Sequence, residues 1–166
     1  MHVRRLTPAD ALLYRALRLR ALREHPDAFT SSYEEDTRQP VEAAAARLRA
    51  HAFWGAYQAA ELYGFVGLEH ETRAKNRHKA TVVGMYVAPE VNGQGVGRAL
   101  LAALLAHARA EGLQSLVLTV TEGNAHARRL YEGAGFASFG IEPDAIRIGD
   151  RSCAKNHMHL DLGQAP

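Results

Sequence analysis

Asn92-Gly93-Gln94-Gly95-Val96-Gly97-Arg98 places a glycine at every second position just ahead of a leucine-rich stretch. Side chains are missing there at the point where backbone N–H groups of a helix start are free. That arrangement binds an anion, and a phosphate group is the natural inference. Two familiar phosphate loops are excluded. No Gly-Lys-Ser/Thr follows, as a nucleoside-triphosphate loop requires, and Arg98 or Leu100 fills the third glycine position of a dinucleotide fingerprint. A second concentrated pattern is Asn124-Ala125-His126-Ala127-Arg128-Arg129-Leu130-Tyr131-Glu132-Gly133-Ala134-Gly135-Phe136. It opens on a good N-cap residue and carries a tyrosine, a potential proton donor, inside a short helix.

The rest of the chain must position these two segments. Residues 2–6 predict a strand, and Thr7-Pro8 opens a helix to about His25, ended by Pro26. On that helix Leu13, Leu17 and Ala21 share the inward face and Arg15 and Arg18 point away. Pro40 opens a second helix through about Ala50, and residues 53–58 and 62–69 predict a hairpin. Residues 81–87 are β-branched enough for a central strand, in which Gly84 marks a bulge or a close backbone approach. The helix after the glycine loop runs to about Glu111 with Val96, Leu100, Leu101, Leu104, Leu105 and Ala108 inward, and Gly112 stops it. Residues 116–120 are apolar but for Thr119, the pattern expected of a strand buried on both faces. After the Asn124 helix the chain returns to strands. In the last one Ala154, Met158, Leu160 and Leu162 take the core phase, leaving Cys153, His157 and His159 as an exposed polar face. The order β, α, α, β, β, β, α, β, α, β, β predicts a single mixed α/β domain over residues 1–166.

Taken together, the two patterns resemble the GNAT superfamily of N-acetyltransferases. That family has a pyrophosphate loop of the form Gln/Arg-x-x-Gly-x-Gly/Ala after a strand, and a later Asn-x-x-Ala helix ending in Tyr-x-x-x-Gly-Phe. The resemblance spans residues 80–140, and Asn92 departs from it by standing where the family usually has Gln or Arg. It implies a GNAT-like central twisted mixed sheet of about six or seven strands flanked by about four helices. It also implies acetyl-coenzyme A as acyl donor. The pyrophosphate would lie in the loop of Asn92, Gly93, Gln94, Gly95, Val96, Gly97 and Arg98. The pantetheine arm would run along the backbone of Met85, Tyr86 and Val87, with Asn124 and Ala127 nearby.

The same resemblance sets Tyr131 beside the donor sulfur. Acyl transfer from a thioester releases a thiolate of pKa about 8.5, which a phenol of pKa about 10 can hydrogen-bond or protonate. An interior tyrosine packed on the sheet is the competing explanation. The attacking amine must be neutral, so a base is needed. His78, Glu122, Glu69 and Glu71 are candidates, and each is equally explained as a solvated strand-end residue. Glu34 and Glu35 border the acceptor groove if the resemblance holds there, and otherwise form an ordinary solvated loop. The implied reaction is direct transfer, through a ternary complex, to a primary amine of a small molecule, peptide or protein. A non-catalytic acyl-coenzyme A-binding module is the alternative; it would keep the loop and dispense with Tyr131 and the base. The transfer chemistry calls for no metal.

Composition narrows the field from the other side. With 166 residues, 47% hydrophobic and 23% charged, the chain has the make-up of one ordinary folded domain. A net charge of +2, with no aromatic platform among the early arginines, gives no support to nucleic-acid binding. The single cysteine, Cys153, excludes an intramolecular disulfide and a thiolate zinc cluster. No apolar run is long enough to span a membrane, and residues 1–10 lack the pattern of a secretion signal, so the expected location is the cytoplasm. Exposed terminal strands would allow a homodimer.

Overall fold

A computed structural model describes residues 1–163. Seven strands make one sheet: β1 (His2–Arg5), β2 (Ala52–Gln58), β3 (Glu61–His70), β4 (Lys79–Val87), β5 (Ser115–Thr121), β6 (Ala137–Ile148) and β7 (Arg151–Asp161). Their spatial order is β1-β2-β3-β4-β5-β7-β6, and every neighbouring pair is antiparallel except β4 and β5. Five helices accompany it: α1 (Ala11–Glu24), α2 (Tyr33–Arg38), α3 (Val41–Ala50), α4 (Val96–Ala110) and α5 (Ala125–Gly133). The expected element order is present, with α2 in addition. That short helix is started by Ser32, whose hydroxyl accepts from the Glu35 N–H while the Glu35 carboxylate accepts from the Ser32 N–H.

Two apolar clusters lie on opposite faces of the sheet. One gathers Leu100, Leu101, Leu104, Leu116, Leu118, Tyr131 and Met158 around α4; the other gathers Tyr14, Leu17, Phe53, Phe65 and Tyr86 beneath α1 and α3. A fully buried leucine of this kind stabilises the fold by about 2 kcal/mol through removal of apolar surface from water.

The inward face of α1 differs from the expected one. Tyr14, Leu17, Arg18, Ala21 and Leu22 are buried, and Leu13 is 44% exposed. Tyr14 anchors this phase by packing edge-on against Phe53 and Phe65, and Arg18 can be interior because it pairs with Asp36 of α2. The last strand also departs from expectation. Met158 and Leu160 are buried as predicted, but so are Cys153 and Lys155 on the phase expected to face solvent. Residues 26–28 close over that side, where the Asp27 carbonyl accepts from Lys155 Nζ at 3.2 Å.

The bulge in β4 is real and it inverts the strand. Gly84 has φ +64°, and the β3–β4 register jumps between Phe65–Tyr86 and Gly67–Val83. Before it, Ala80 and Val82 belong to the α4 cluster and Val83 faces the α1 cluster. After it, Met85 and Val87 face α4 while Tyr86 and Ala88 face α1.

Candidate active site

The site begins where the sheet comes apart. β4 and β5 pair only at Lys79–Ser115, Ala80–Leu116 and Thr81–Val117. Beyond Thr81 no rung joins them, so the facing edges of Val82 to Val87 and of Leu118 to Thr121 border a gap in the sheet. Met85, Tyr86 and Val87 lie on that free edge.

The glycine loop sits at the same end. Gly93 and Gly95 have φ +77° and +75°, a left-handed conformation that glycine adopts without strain, and a Cβ on either would meet nothing within 4 Å. The loop is therefore open on its outer side. Val96, Gly97 and Arg98 form the first turn of α4, whose N–H groups have no intrahelical acceptor. These open amides at the positive end of a helix of fifteen residues fit a pyrophosphate. The side chains of Asn92, Gln94 and Arg98 are exposed around it.

Gly97 joins this loop to the second pattern. A Cβ there would stand 3.3 Å from Leu130 of α5 and 3.7 Å from Val87 of β4, so three elements meet at the loop. The next residue on α5 is Tyr131, 7% exposed and edge-on to Phe136 at 5.9 Å. Its hydroxyl has no hydrogen-bond partner among the described residues. Burial pushes the phenol well above its ordinary pKa, so it remains protonated and can only donate. Asn124 caps α5, its Oδ1 accepting from the Ala127 N–H at 3.1 Å.

A cavity of about 130 Å³ opens beside this helix start, lined by Val120, Thr121, Glu122, Gly123, Asn124, Ala125 and Arg128. Glu122 is thus the one base candidate that the fold brings to the gap. His78 precedes β4 at its opposite end, where its carbonyl accepts from the Gln114 N–H at 2.8 Å. At about 3.3 Å per residue, a nine-residue strand separates it from the glycine loop. Glu69 accepts from Arg47 at 2.9 Å and Glu71 from Asn76 at 2.9 Å, both at that far end too. Glu34 and Glu35 lie on α2, which packs on α1; the Glu35 carboxylate is occupied by the Ser32 N–H, which lowers its pKa.

Sequence reasoning missed two groups at the gap. Lys155 Nζ donates to Thr121 Oγ1 at 2.8 Å, and the Thr121 hydroxyl donates in turn to the Asp27 carbonyl at 2.5 Å. Residues 26–28 are thereby fastened to the end of β5. Burial lowers the Lys155 pKa. On the other rim the Tyr86 hydroxyl donates to Glu24 Oε2 at 2.6 Å, and Arg20 bridges Glu24 and Glu90 at 2.7 Å each. The only sequence clue to the first group was a lysine at a position that turned out to be interior.

A mixed sheet that parts over a glycine cradle, with α5 seated against it, is the N-acetyltransferase fold. The acetyltransferase of GNAT family from Streptococcus pneumoniae superposes with a TM-score of 0.88 at 22% identity, covering 98% of this chain and 99% of that one. A structure from Salmonella typhimurium, assigned as an acetyltransferase and solved with its cofactor acetyl-CoA, superposes with a TM-score of 0.87 at 22% identity, covering 100% of this chain and 96% of that one. The chain belongs to the GNAT acetyltransferase family, whose model matches residues 18–136. Mycothiol acetyltransferase of Thermobispora bispora is 34% identical over 137 residues, 80% of this chain and 45% of that one, so the chain spans less than half the length of this relative. No helix among the described residues is long and apolar enough to cross a membrane.

Proposed function

We propose that the chain is an acetyl-coenzyme A-dependent N-acetyltransferase that transfers the acetyl group directly to a primary amine of a small molecule or peptide. The observation that carries this reading is the parting of β4 from β5 beyond Thr81, directly below the left-handed glycines 93 and 95. The amides of residues 93–98 hold the pyrophosphate, and the free edge of residues 85–87 hydrogen-bonds the pantetheine arm. A backbone N–H of that edge stabilises the developing oxyanion, a contact typically worth about 3 kcal/mol. Tyr131 donates its phenolic hydrogen to the departing sulfur. With its pKa raised, full proton transfer is further uphill than reference values suggest, so the hydrogen bond is the larger part of its role. Glu122, exposed in the cavity at the end of β5, takes the amine proton directly or through water.

Calorimetric titration with acetyl-coenzyme A, run beside a thiol-release assay over amines and peptides, tests the reading. Saturable binding with turnover on one acceptor class is expected. Tyr131→Phe should lower kcat by about 100-fold while leaving donor affinity within about twofold. Binding without turnover on any acceptor, with donor affinity again unmoved in Tyr131→Phe, would instead favour the non-catalytic acyl-coenzyme A module.

A further inference from the structure

We propose that His70, His107 and Glu111 form a binding site for a divalent transition metal of the zinc class, separate from the gap between β4 and β5. His70 is the last residue of β3, and His107 and Glu111 are one turn apart at the C-terminal end of α4. His70 Nε2 is 2.6 Å from Glu111 Oε2, and His107 Nε2 is 3.0 Å from Glu111 Oε1. One donor atom from each of the three residues falls within 4.8 Å of the others.

Two imidazole nitrogens and a carboxylate oxygen are a donor set for zinc, cobalt, nickel or copper rather than for magnesium or calcium. Tetrahedral coordination at about 2.0–2.2 Å places donor atoms about 3.4 Å apart. The present separations of 2.6 and 3.0 Å from Glu111 lie within about 1 Å of that spacing. Their side chains are 30–39% exposed, which leaves room for a water as fourth ligand.

Helix stability does not account for this cluster. Glu111 puts a carboxylate at the C-terminal end of α4, where the helix dipole is already negative, and a dication there offsets both. One group opposes it: Arg5 Nη1 stands 3.5 Å from His107 Nε2. The Arg5 guanidinium also lies over the Trp54 ring, 4.9 Å from its centroid, and a bound metal would leave it that position alone. The site ties the end of α4 to the end of β3, so its role is to staple helix to sheet, and acyl transfer does not pass through it.

The chain carries its own reporter. Trp54 is its single tryptophan, and its ring centroid is 5.0 Å from that of His107. The full chain is titrated with zinc chloride by calorimetry, and with nickel chloride while Trp54 fluorescence is followed. One-to-one binding, quenching by nickel, and a higher Tm with zinc are expected. His70→Ala and His107→Ala should each weaken binding at least tenfold and abolish the Tm shift, His157→Ala should leave both intact, and Arg5→Gln should tighten binding. Absence of saturable binding, or binding and quenching that survive the loss of both His70 and His107, would overturn the proposal.

Discussion

The two ends of the β4–β5 seam are made by the same two strands and behave in opposite ways. At the Lys79–Ser115 end the strands are joined rung by rung, Ala80 and Leu116 are wholly buried, and even the linker amides of Gln114 and Leu162 find carbonyl partners. At the other end the rungs stop, the loop glycines turn left-handed, and among the described residues the first-turn amides of α4 and the Tyr131 hydroxyl have no partner. Leaving polar groups unsatisfied costs stability, and the same vacancy is what a ligand can fill. The closed end must therefore supply the stability that the open end gives up.

The contrast can be broken most forcefully at its closed end. Leu116→Ala should cost about 2–5 kcal/mol in urea unfolding while the folded fraction keeps its acetyl-coenzyme A affinity within about twofold. A collapse of donor affinity in that variant would mean the two ends are not separable. Gly95→Val is the converse probe. A β-branched residue at φ +75° stores about 1–3 kcal/mol of strain and covers the open amides. Donor affinity should fall about 100-fold by calorimetry, with a smaller stability loss than in Leu116→Ala.

Away from the seam, beside β1 and β2, Asp10 adds stability that depends on pH. Its carboxylate accepts from Arg4, from the Thr7 N–H and hydroxyl, and from Tyr57, and the Arg4 guanidinium above all holds it far below the usual carboxylate range. The unfolded chain takes up a proton near pH 4 that the folded Asp10 refuses. Stability from this group is therefore complete above about pH 4 and is lost as pH falls further. Asp10→Asn should lose about 1–3 kcal/mol at neutral pH, flatten that acid dependence, and leave donor binding untouched. The smallest effect is expected at the open rim. Lys155→Met removes a buried charge yet leaves the Thr121–Asp27 hydrogen bond in place, so kcat and donor affinity should stay within about twofold and Tm should change little.

Much of the open end was legible in the residues, because its function is written in backbone conformation. Gly93, Gly95 and the Asn124 cap have local meanings that need no tertiary context. The glycine inside residues 81–87 likewise announced a bulge that the structure contains. Side-chain partnerships across elements were not legible. Arg18 reads as an outward residue until Asp36 on α2 neutralises it, and Leu13 reads as inward until Tyr14 takes the place against Phe53 and Phe65. Lys155 and Cys153 look solvent-facing until residues 26–28 cover them. His78 and Glu122 look alike as strand-end residues, and only the direction of the parallel pair separates them.

Gly84 has a further consequence for how this chain can vary in length. Gly84 is the extra residue that lets Met85 and Val87 face α4, so straightening the strand at full length would send Tyr86 towards the leucines of α4 and Met85 beneath α1, whereas removing Gly84 would keep each on its present face. No change of residue type at positions 85–88 could easily compensate for that straightening, since the error would lie in parity and not in chemistry. At this length of β4 the left-handed conformation at position 84 is thus the quantity under constraint, and Gly84→Val, which disfavours it, should be tolerated less well than deletion of Gly84.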